Sequence, residues 1–387
     1  MNILTLPRFF CLLFLLCIGY GITPGLAVAT EKSTLSPELE SALGALLDAA
    51  PQGKAAPSEA TLSTLLKFVT TNTTPQGKVT PATRPAGLGA YQKETLNMSL
   101  KTIISYTLNP AIPGEAIYPS SVRRNAWFPN SELLKNNATF LNATFPPATT
   151  LVTRGTEYEE TTPDISSGCY YAYKLNRLFV LTAYEGRTVL FSVSSMPESS
   201  TVGRKGAIAG NDKNWNYVYT PEQGTNLSML GWAETYLYGS ASVSVFIDAG
   251  NKTDLYMFKW AKAGWSGMNV VKRSHITAGL TRFTSGLRQV LESPKAPSAS
   301  DLAARFAELR GLKDSQLQAQ LSDFGKYLET LGTGDSIISG KEFQTVLKGG
   351  GYAATLGRNE AISELMKLYV REKLGTLPTT LAPSGTR

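Results

Sequence analysis

The sequence contains few of the side chains on which metal and thiol chemistry depend. It holds one histidine, His275, and three cysteines, of which Cys11 and Cys17 lie in an apolar N-terminal stretch. Zinc sites usually take three or four His and Cys ligands, so we predict no metal site. No Gly-rich loop ends in the Gly-Lys-Ser/Thr pattern that holds nucleotide phosphates, and we predict no cofactor.

Charged residues are also scarce, at 17% of the chain, and neither sign is concentrated. The 37 Lys and Arg residues exceed the 30 Asp and Glu residues, which gives a formal net charge of +7. The densest basic runs are only pairs, such as Arg123-Arg124 and Lys272-Arg273. A nucleic-acid-binding domain would gather basic residues on one element, so we expect no nucleic-acid partner.

Long apolar runs are absent after the N-terminus. Residues 9–18 are apolar, Arg8 precedes them, and the small residues that follow end in Ala27-Val28-Ala29. This pattern is typical of a secretory signal peptide over residues 1–29, with an uncleaved N-terminal anchor as the alternative. No later run approaches the roughly 20 apolar residues that cross a bilayer, so we predict no transmembrane span in the mature chain.

Cleavage of the leader would leave Cys169 as the one cysteine, so no internal disulfide bond is expected. The sequence also carries Asn-x-Ser/Thr triplets, which would be glycosylation sites in a eukaryotic host. A secreted eukaryotic chain of this size more often carries disulfide bonds. We therefore expect export to a bacterial periplasm or cell envelope, with secretion as the alternative.

Changes in composition divide the rest of the chain into four segments. Residues 30–89 predict a helical segment followed by a Thr- and Pro-rich linker. Residues 90–293 predict an α+β domain, and residues 298–376 predict a helical module. Residues 377–387, rich in Pro and Thr, predict a disordered tail.

Strand-like alternation is clearest after residue 168. Residues 169–175, 178–184 and 188–194 predict three strands, with turns at 176–177 and 185–187. Further strands are predicted at residues 215–220, 235–238, 242–247 and 254–260. A long helix follows, which Ser274 is expected to cap and whose apolar face includes Ile276, Leu280, Phe283, Leu287 and Leu291.

Strands that follow strands, with helices at both ends, indicate an α+β fold: an antiparallel β-meander sheet closed by a long amphipathic helix. This order resembles, at the level of the fold alone, the helix-grip arrangement of lipid-carrying domains. The resemblance implies a helix that lies across a curved sheet and can leave an apolar cavity beneath it.

Three alternating aromatic residues, Trp215, Tyr217 and Tyr219, are predicted to lie on one face of one strand. An exposed aromatic stripe would suit a sugar ring or another flat ligand, and we take these three as candidate ligand-binding residues. The alternative is that the rings pack under the closing helix.

Catalysis is less favoured than binding. Cys169 and His275 could act as a nucleophile and a base, but the residues after Cys169 alternate like a strand and offer no helix N-terminus to lower the pKa of the thiol. Carboxylate pairs could also hydrolyse glycosides. The candidate carboxylates in or near the β-rich block are Glu157, Glu159, Glu160, Asp164, Asp248 and Asp254.

We therefore predict no catalytic residue and expect an exported protein with a structural or protein-interaction role, which contacts a protein partner through the C-terminal helices. One alternative is a binding protein that holds an apolar or aromatic ligand, a lipid or a sugar, in the β-rich domain. A second alternative is a hydrolase that uses carboxylates or Cys169 and His275.

Overall fold

The structure, a computed structural model, describes residues 32–164, 167–227, 231–378 and Leu381. The predicted signal peptide, residues 1–29, lies outside the described residues. So do positions 379–380 and 382–387 of the predicted tail.

Helices at both ends flank a β-rich centre. The helices are α1 (Pro37–Asp48), α2 (Glu59–Thr71), α3 (Leu100–Thr107), α4 (Leu133–Leu141), α5 (Arg273–Leu291), α6 (Ala299–Gly311), α7 (Asp314–Gly332), α8 (Lys341–Leu347), α9 (Tyr352–Thr355) and α10 (Arg358–Leu374). The strands are β1 (Leu88–Leu96), β2 (Val122–Trp127), β3 (Leu151–Thr161), β4 (Ser167–Tyr170), β5 (Ala172–Tyr184), β6 (Arg187–Ser195), β7 (Arg204–Ile208), β8 (Tyr217–Gln223), β9 (Thr225–Leu227), β10 (Gly231–Ala233), β11 (Thr235–Asp248) and β12 (Thr253–Trp265). Within the described residues, no helix is long and apolar enough to cross a membrane.

A seven-stranded sheet forms the centre of the molecule, in the order β1-β12-β11-β6-β5-β3-β2. Its neighbouring strands are antiparallel throughout. A three-stranded sheet, β4-β7-β8, and the pair β9-β10 complete the β structure. Because most strands connect to strands and most of the helices lie toward the two ends, the predicted α+β class is confirmed.

One face of the large sheet packs against α1 and α2 through apolar side chains and is called the dry face below. Both helices begin where a serine side chain accepts a backbone N–H: Ser36 from Leu39 and Ser58 from Thr61. The apolar side chains of the two helices and of this sheet face form one buried cluster, which includes Leu43, Leu46, Leu65, Val69, Val180, Phe191, Val193, Val243, Val245, Phe258 and Trp260. Full burial of each such side chain contributes about 1.5–3 kcal/mol.

The opposite face lies under α5. This helix begins at Arg273 and its apolar residues follow one side, as predicted, but Ser274 does not cap it. Lys272 is the capping residue, and its backbone N–H donates to His275 Nδ1 at 3.3 Å. A second apolar cluster joins this side to the helices from α6 to α10. The chain from Lys32 onward forms one compact unit, and the segment boundaries proposed within it remain predictions.

Two strand predictions were wrong because each ended a strand too early. Positions 176–177 form no turn: β5 continues through them, since Asn176 pairs with Thr156 on one side and with Ser195 on the other. Positions 235–238 and 242–247 belong to one strand, β11, interrupted by an irregularity between Leu237 and Gly239. The turn predicted after β5 is confirmed at Glu185 and Gly186, whose positive φ angles of 47° and 74° suit a tight hairpin.

Two further predictions placed residues on the wrong strand. Cys169 belongs to β4, in the three-stranded sheet, and is separate from β5. Trp215 precedes β8 and has left-handed backbone geometry, with φ of 54°, where the short helical turn Asp212–Asn214 ends. The aromatic alternation therefore does not continue to Trp215 within one strand.

The dry face allows a direct test of how far α1 contributes to the stability of the protein. We expect Leu46→Ala to lower the free energy of unfolding by about 2–5 kcal/mol, because Leu46 is fully buried against the sheet. Leu47→Ala removes the same atoms from a half-exposed position on the same helix and should cost clearly less. Urea unfolding of both variants measures the difference; equal losses would contradict this assignment of the core.

Candidate functional site

A cavity of about 1340 Å³ lies between α5 and the sheet. Side chains from β3, β5, β6, β11 and β12 form its floor, and α5 forms its roof. The loop after β12 lies at the cavity wall, where Val270 is one of the described large apolar side chains that remain exposed. The fold thus places an apolar helix above a sheet without complete packing between them.

Serines on the two central strands leave this space open. Ser192 and Ser194 on β6 pair with Ser244 and Ser242 on β11, and the hydroxyl oxygens of Ser194 and Ser242 lie 2.7 Å apart. All four side chains line the cavity. Residues between them, such as Val193 and Val243, point to the dry face. Because a serine side chain is short, the floor does not reach α5.

The roof and one end of the cavity are apolar. Ile276, Leu280 and Phe283 of α5 line it from above, and the ring of Tyr118 stacks on that of Phe283 with 4.8 Å between centroids. Gly279 also lines the cavity, and a Cβ atom there would meet nothing within 4 Å. At the end of the floor the apolar side chains are Leu190, Phe246 and Met257.

An ion pair lies at the other end of the floor. The Arg177 guanidinium donates to the Glu157 carboxylate at 2.8 Å and to Ser192 Oγ at 3.2 Å. Asn125 Nδ2 donates to the second oxygen of Glu157 at 2.6 Å. Glu157 is 5% exposed, so its charge is buried, paired and hydrogen-bonded, as stable buried charges require.

Glu159, two residues further along β3, has a different environment. It accepts a hydrogen bond from the Tyr173 hydroxyl. Burial raises the pKa of Glu159, and the negative charge of Glu157 raises it further, whereas the Tyr173 hydrogen bond opposes the shift. Burial and the contact with Glu159 in turn raise the pKa of Tyr173 well above its ordinary value. Glu159 therefore keeps its proton to a higher pH than an exposed glutamate does.

Lys259 carries the remaining floor charge. Its ammonium donates to Ser240 Oγ at 2.7 Å. Burial lowers the pKa of Lys259; the nearby Glu159 carboxyl acts to raise it, and Arg177 acts to lower it. No carboxylate oxygen of the described residues lies within salt-bridge distance of this ammonium, which distinguishes Lys259 from Arg177.

The three predicted ligand-binding rings do not form an exposed stripe. Trp215 lines the cavity but is 1% exposed, and its indole N–H has no hydrogen-bond partner among the described residues. Tyr217 and Tyr219 are buried in the apolar cluster shared with the C-terminal helices. The Tyr217 hydroxyl donates to Asp212 at 2.8 Å, and the Arg123 guanidinium lies 4.0 Å from the centroid of the Tyr219 ring.

The residues proposed for hydrolysis are partly brought together. Cys169 and His275 both line the cavity, but Cys169 lies on a strand, where its sulfur accepts a hydrogen bond from Thr235 at 3.2 Å. His275 Nδ1 is engaged at the start of α5. Cys169 therefore does not lie at a helix N-terminus, one of the features that activate a thiol.

The candidate carboxylates are dispersed around the sheet. Glu157, Glu159 and Asp164 line the cavity. Glu160 binds Arg123 and Arg124 at 2.8 and 2.9 Å, and Asp254 accepts from Thr95 at 2.8 Å. In the part of the chain that the structure describes, no group of three or more His, Cys, Asp or Glu side chains could hold a metal ion.

Comparison with known proteins does not indicate a function, so the proposal below is argued from the geometry of the cavity. The sequence matches no protein-family model and shows no significant match to a curated protein.

The sequence analysis did not predict the four serines or Lys259 as parts of a site. The serines alternate with apolar residues along β6 and β11, and this alternation is a signal that one face of the sheet is polar.

The protonation of Glu159 predicts how one part of the stability depends on pH. Its pKa is higher in the folded chain than in the unfolded chain, where it is near 4.5. Its contribution is therefore complete below that value and is lost as the pH rises toward the folded pKa. We expect Glu159→Gln, which stays neutral and can still accept from Tyr173, to unfold at higher urea than wild type at pH 8.

The advantage of Glu159→Gln should shrink as the pH falls toward 4. Glu198→Gln is the matched control, since that carboxylate is exposed, and it should show no such trend. Urea midpoints at four pH values between 4 and 8 make the comparison. A variant less stable than wild type at pH 8 would mean that Glu159 is held ionised.

Proposed function

We propose that the protein is a binding protein that holds a small, largely apolar molecule in the cavity between α5 and the large sheet. The observation that carries this proposal is the cavity itself, about 1340 Å³ in volume, with an apolar roof and a floor of serines and charged groups. Small-molecule sites are concave, mostly apolar and furnished with a few polar groups, and this cavity has each of these properties.

Packing arguments support an occupant. Protein interiors are filled as densely as organic crystals, with few voids larger than a water molecule. Larger side chains at Ser242 and Ser244 would fill the space at the centre of the sheet, and at these positions the chain has serine instead. A lipid-like or aromatic compound fits the apolar roof and end better than a sugar, whose many hydroxyls would need partners over the whole surface.

The export of this binding protein to a bacterial periplasm or cell envelope is part of the proposal. The pattern of residues 1–29 supports export, and Cys169 as the one cysteine after leader cleavage supports a bacterial host. The structural or protein-interaction role predicted for the C-terminal helices stays a separate prediction. Hydrolysis has less support than binding. Asn125 and Arg177 already engage Glu157, and Cys169 lies on a strand.

A cavity-filling variant tests the proposal. We expect wild-type protein to bind N-phenyl-1-naphthylamine, a neutral apolar dye whose fluorescence rises on burial. Ser242→Phe should weaken binding at least about tenfold, because the new ring occupies the centre of the floor. Fluorescence titration gives both dissociation constants.

Ser63→Phe is the matched control. It makes the same substitution at an exposed position of α2, the helix on the opposite side of the sheet, and should leave dye binding unchanged. Circular dichroism verifies that both variants are folded. A wild type that binds no dye, or a folded Ser242→Phe that binds it as tightly as wild type, would refute the proposal.

A further inference from the structure

We infer that the ligand is an amphipathic carboxylic acid whose carboxylate binds Lys259 on the cavity floor and whose apolar body lies under α5. This inference rests on the proposed function, since it assigns the chemistry of the same cavity. Three observations carry it: the position of Lys259 in the sheet, the unpartnered hydrogen-bond donors in the cavity lining and the balance of charge on the floor.

Lys259 lies in a row of side chains that crosses the middle of the sheet. The strand register aligns Lys259 with Ser242, Ser242 with Ser194, and Ser194 with Arg177. All four side chains line the cavity. The row thus has a cation at each end and two hydroxyl groups between them.

The cavity lining also contains two buried hydrogen-bond donors that no acceptor of the described residues satisfies. Arg177 Nε and Trp215 Nε1 are buried, and neither has a hydrogen-bond partner among the described residues. Both residues line the cavity. A buried donor without a partner is destabilising, and a ligand with acceptor oxygens is the complement of such a site.

The balance of charge on the cavity floor favours a ligand with one negative charge. Glu157 balances Arg177 through a 2.8 Å ion pair. Glu159 accepts a hydrogen bond from the Tyr173 hydroxyl, and burial raises the pKa of Glu159 and lowers that of Lys259. Lys259 is left as the one floor cation without an ion-pair partner among the described residues. A carboxylate supplies one charge, whereas a phosphate monoester would bring nearly two.

The floor also fixes the direction of the ligand. Met257 lies two residues from Lys259 along β12 and pairs with Ser244 of β11. The next residue on the same face of β11 is Phe246, which pairs with Leu190 of β6. The floor therefore changes from charged to polar to apolar along one direction, with Leu280 and Phe283 of α5 above it. An acid bound at Lys259 would extend its apolar body toward Phe246.

Matched probes that differ only in the acid group test this inference. The probes are cis-parinaric acid and its methyl ester, and fluorescence titration measures both dissociation constants. We expect wild type to bind the acid at least about tenfold more tightly than the ester, as a charge-assisted hydrogen bond provides. Lys259→Met should remove this preference by weakening acid binding more than ester binding, and Lys259→Arg should keep most of it.

Lys174→Met is the control, because Lys174 lies on β5 with an exposed side chain and should keep the wild-type preference. Wild type that binds acid and ester equally, or a Lys259→Met variant that still prefers the acid, would overturn the inference while leaving the proposed function intact. If wild type binds neither of these probes nor the neutral dye, both the inference and the proposed function fail. If it binds the neutral dye but neither probe, the inference alone fails.

Discussion

The alternation of side chains along the central strands is the constraint on which the rest of the structure depends. Successive residues of a strand point to opposite faces, so β6 and β11 can be apolar on one side and short and polar on the other. Val193 and Val243 build the dry core with α1 and α2, while Ser194 and Ser242 face α5. A shift of one residue in the register would exchange the two faces. The seven-stranded pairing therefore determines both the core and the cavity.

The charged groups away from the surface of this molecule fall into two kinds: those with an oppositely charged partner among the described residues and those without one. Arg123 binds Glu160 at 2.8 Å and Glu360 at 2.7 Å, and so joins the sheet edge to α10. Lys367 and Glu364 form a buried pair at 2.7 Å. In these cases the cost of burial is offset by an opposite charge. Lys259 is partly buried and its ammonium donates to a hydroxyl, so the cavity floor is a place where a group from outside the chain would complete the electrostatics.

Sequence reasoning recovers those parts of the fold that depend on neighbouring residues. The apolar face of α5 and the turn at Glu185 and Gly186 follow from local patterns, and the α+β class follows from the order of helices and strands. The wrong turn at 176–177 has a different origin. Asn176 and Arg177 look like turn residues, but pairing with strands on both sides keeps them extended.

The candidate site depends on contacts between distant residues, which explains why only part of it was foreseen. Whether the rings at 217 and 219 face a ligand or a core depends on where α9 packs, more than 130 residues later. The serines of β6 and β11 form a floor only because these two strands are neighbours in the sheet. A single serine in a strand does not predict a cavity. Four serines in paired positions on neighbouring strands do indicate an open space above that part of the sheet.

The way in which α5 is attached shows how a hollow interface can persist in a stable fold. Arginines hold the helix at its edges: Arg273 donates to the Gly89 carbonyl at 2.6 Å, Arg282 binds Asp212 at 2.7 Å, and Arg288 binds Glu94 at 2.6 Å. Because these contacts and the apolar residues near the end of the helix fix its position, the middle of the helix near Gly279 need not pack on the sheet. The filled core between the sheet and the helices α1 and α2 adds stability that does not depend on what the cavity holds.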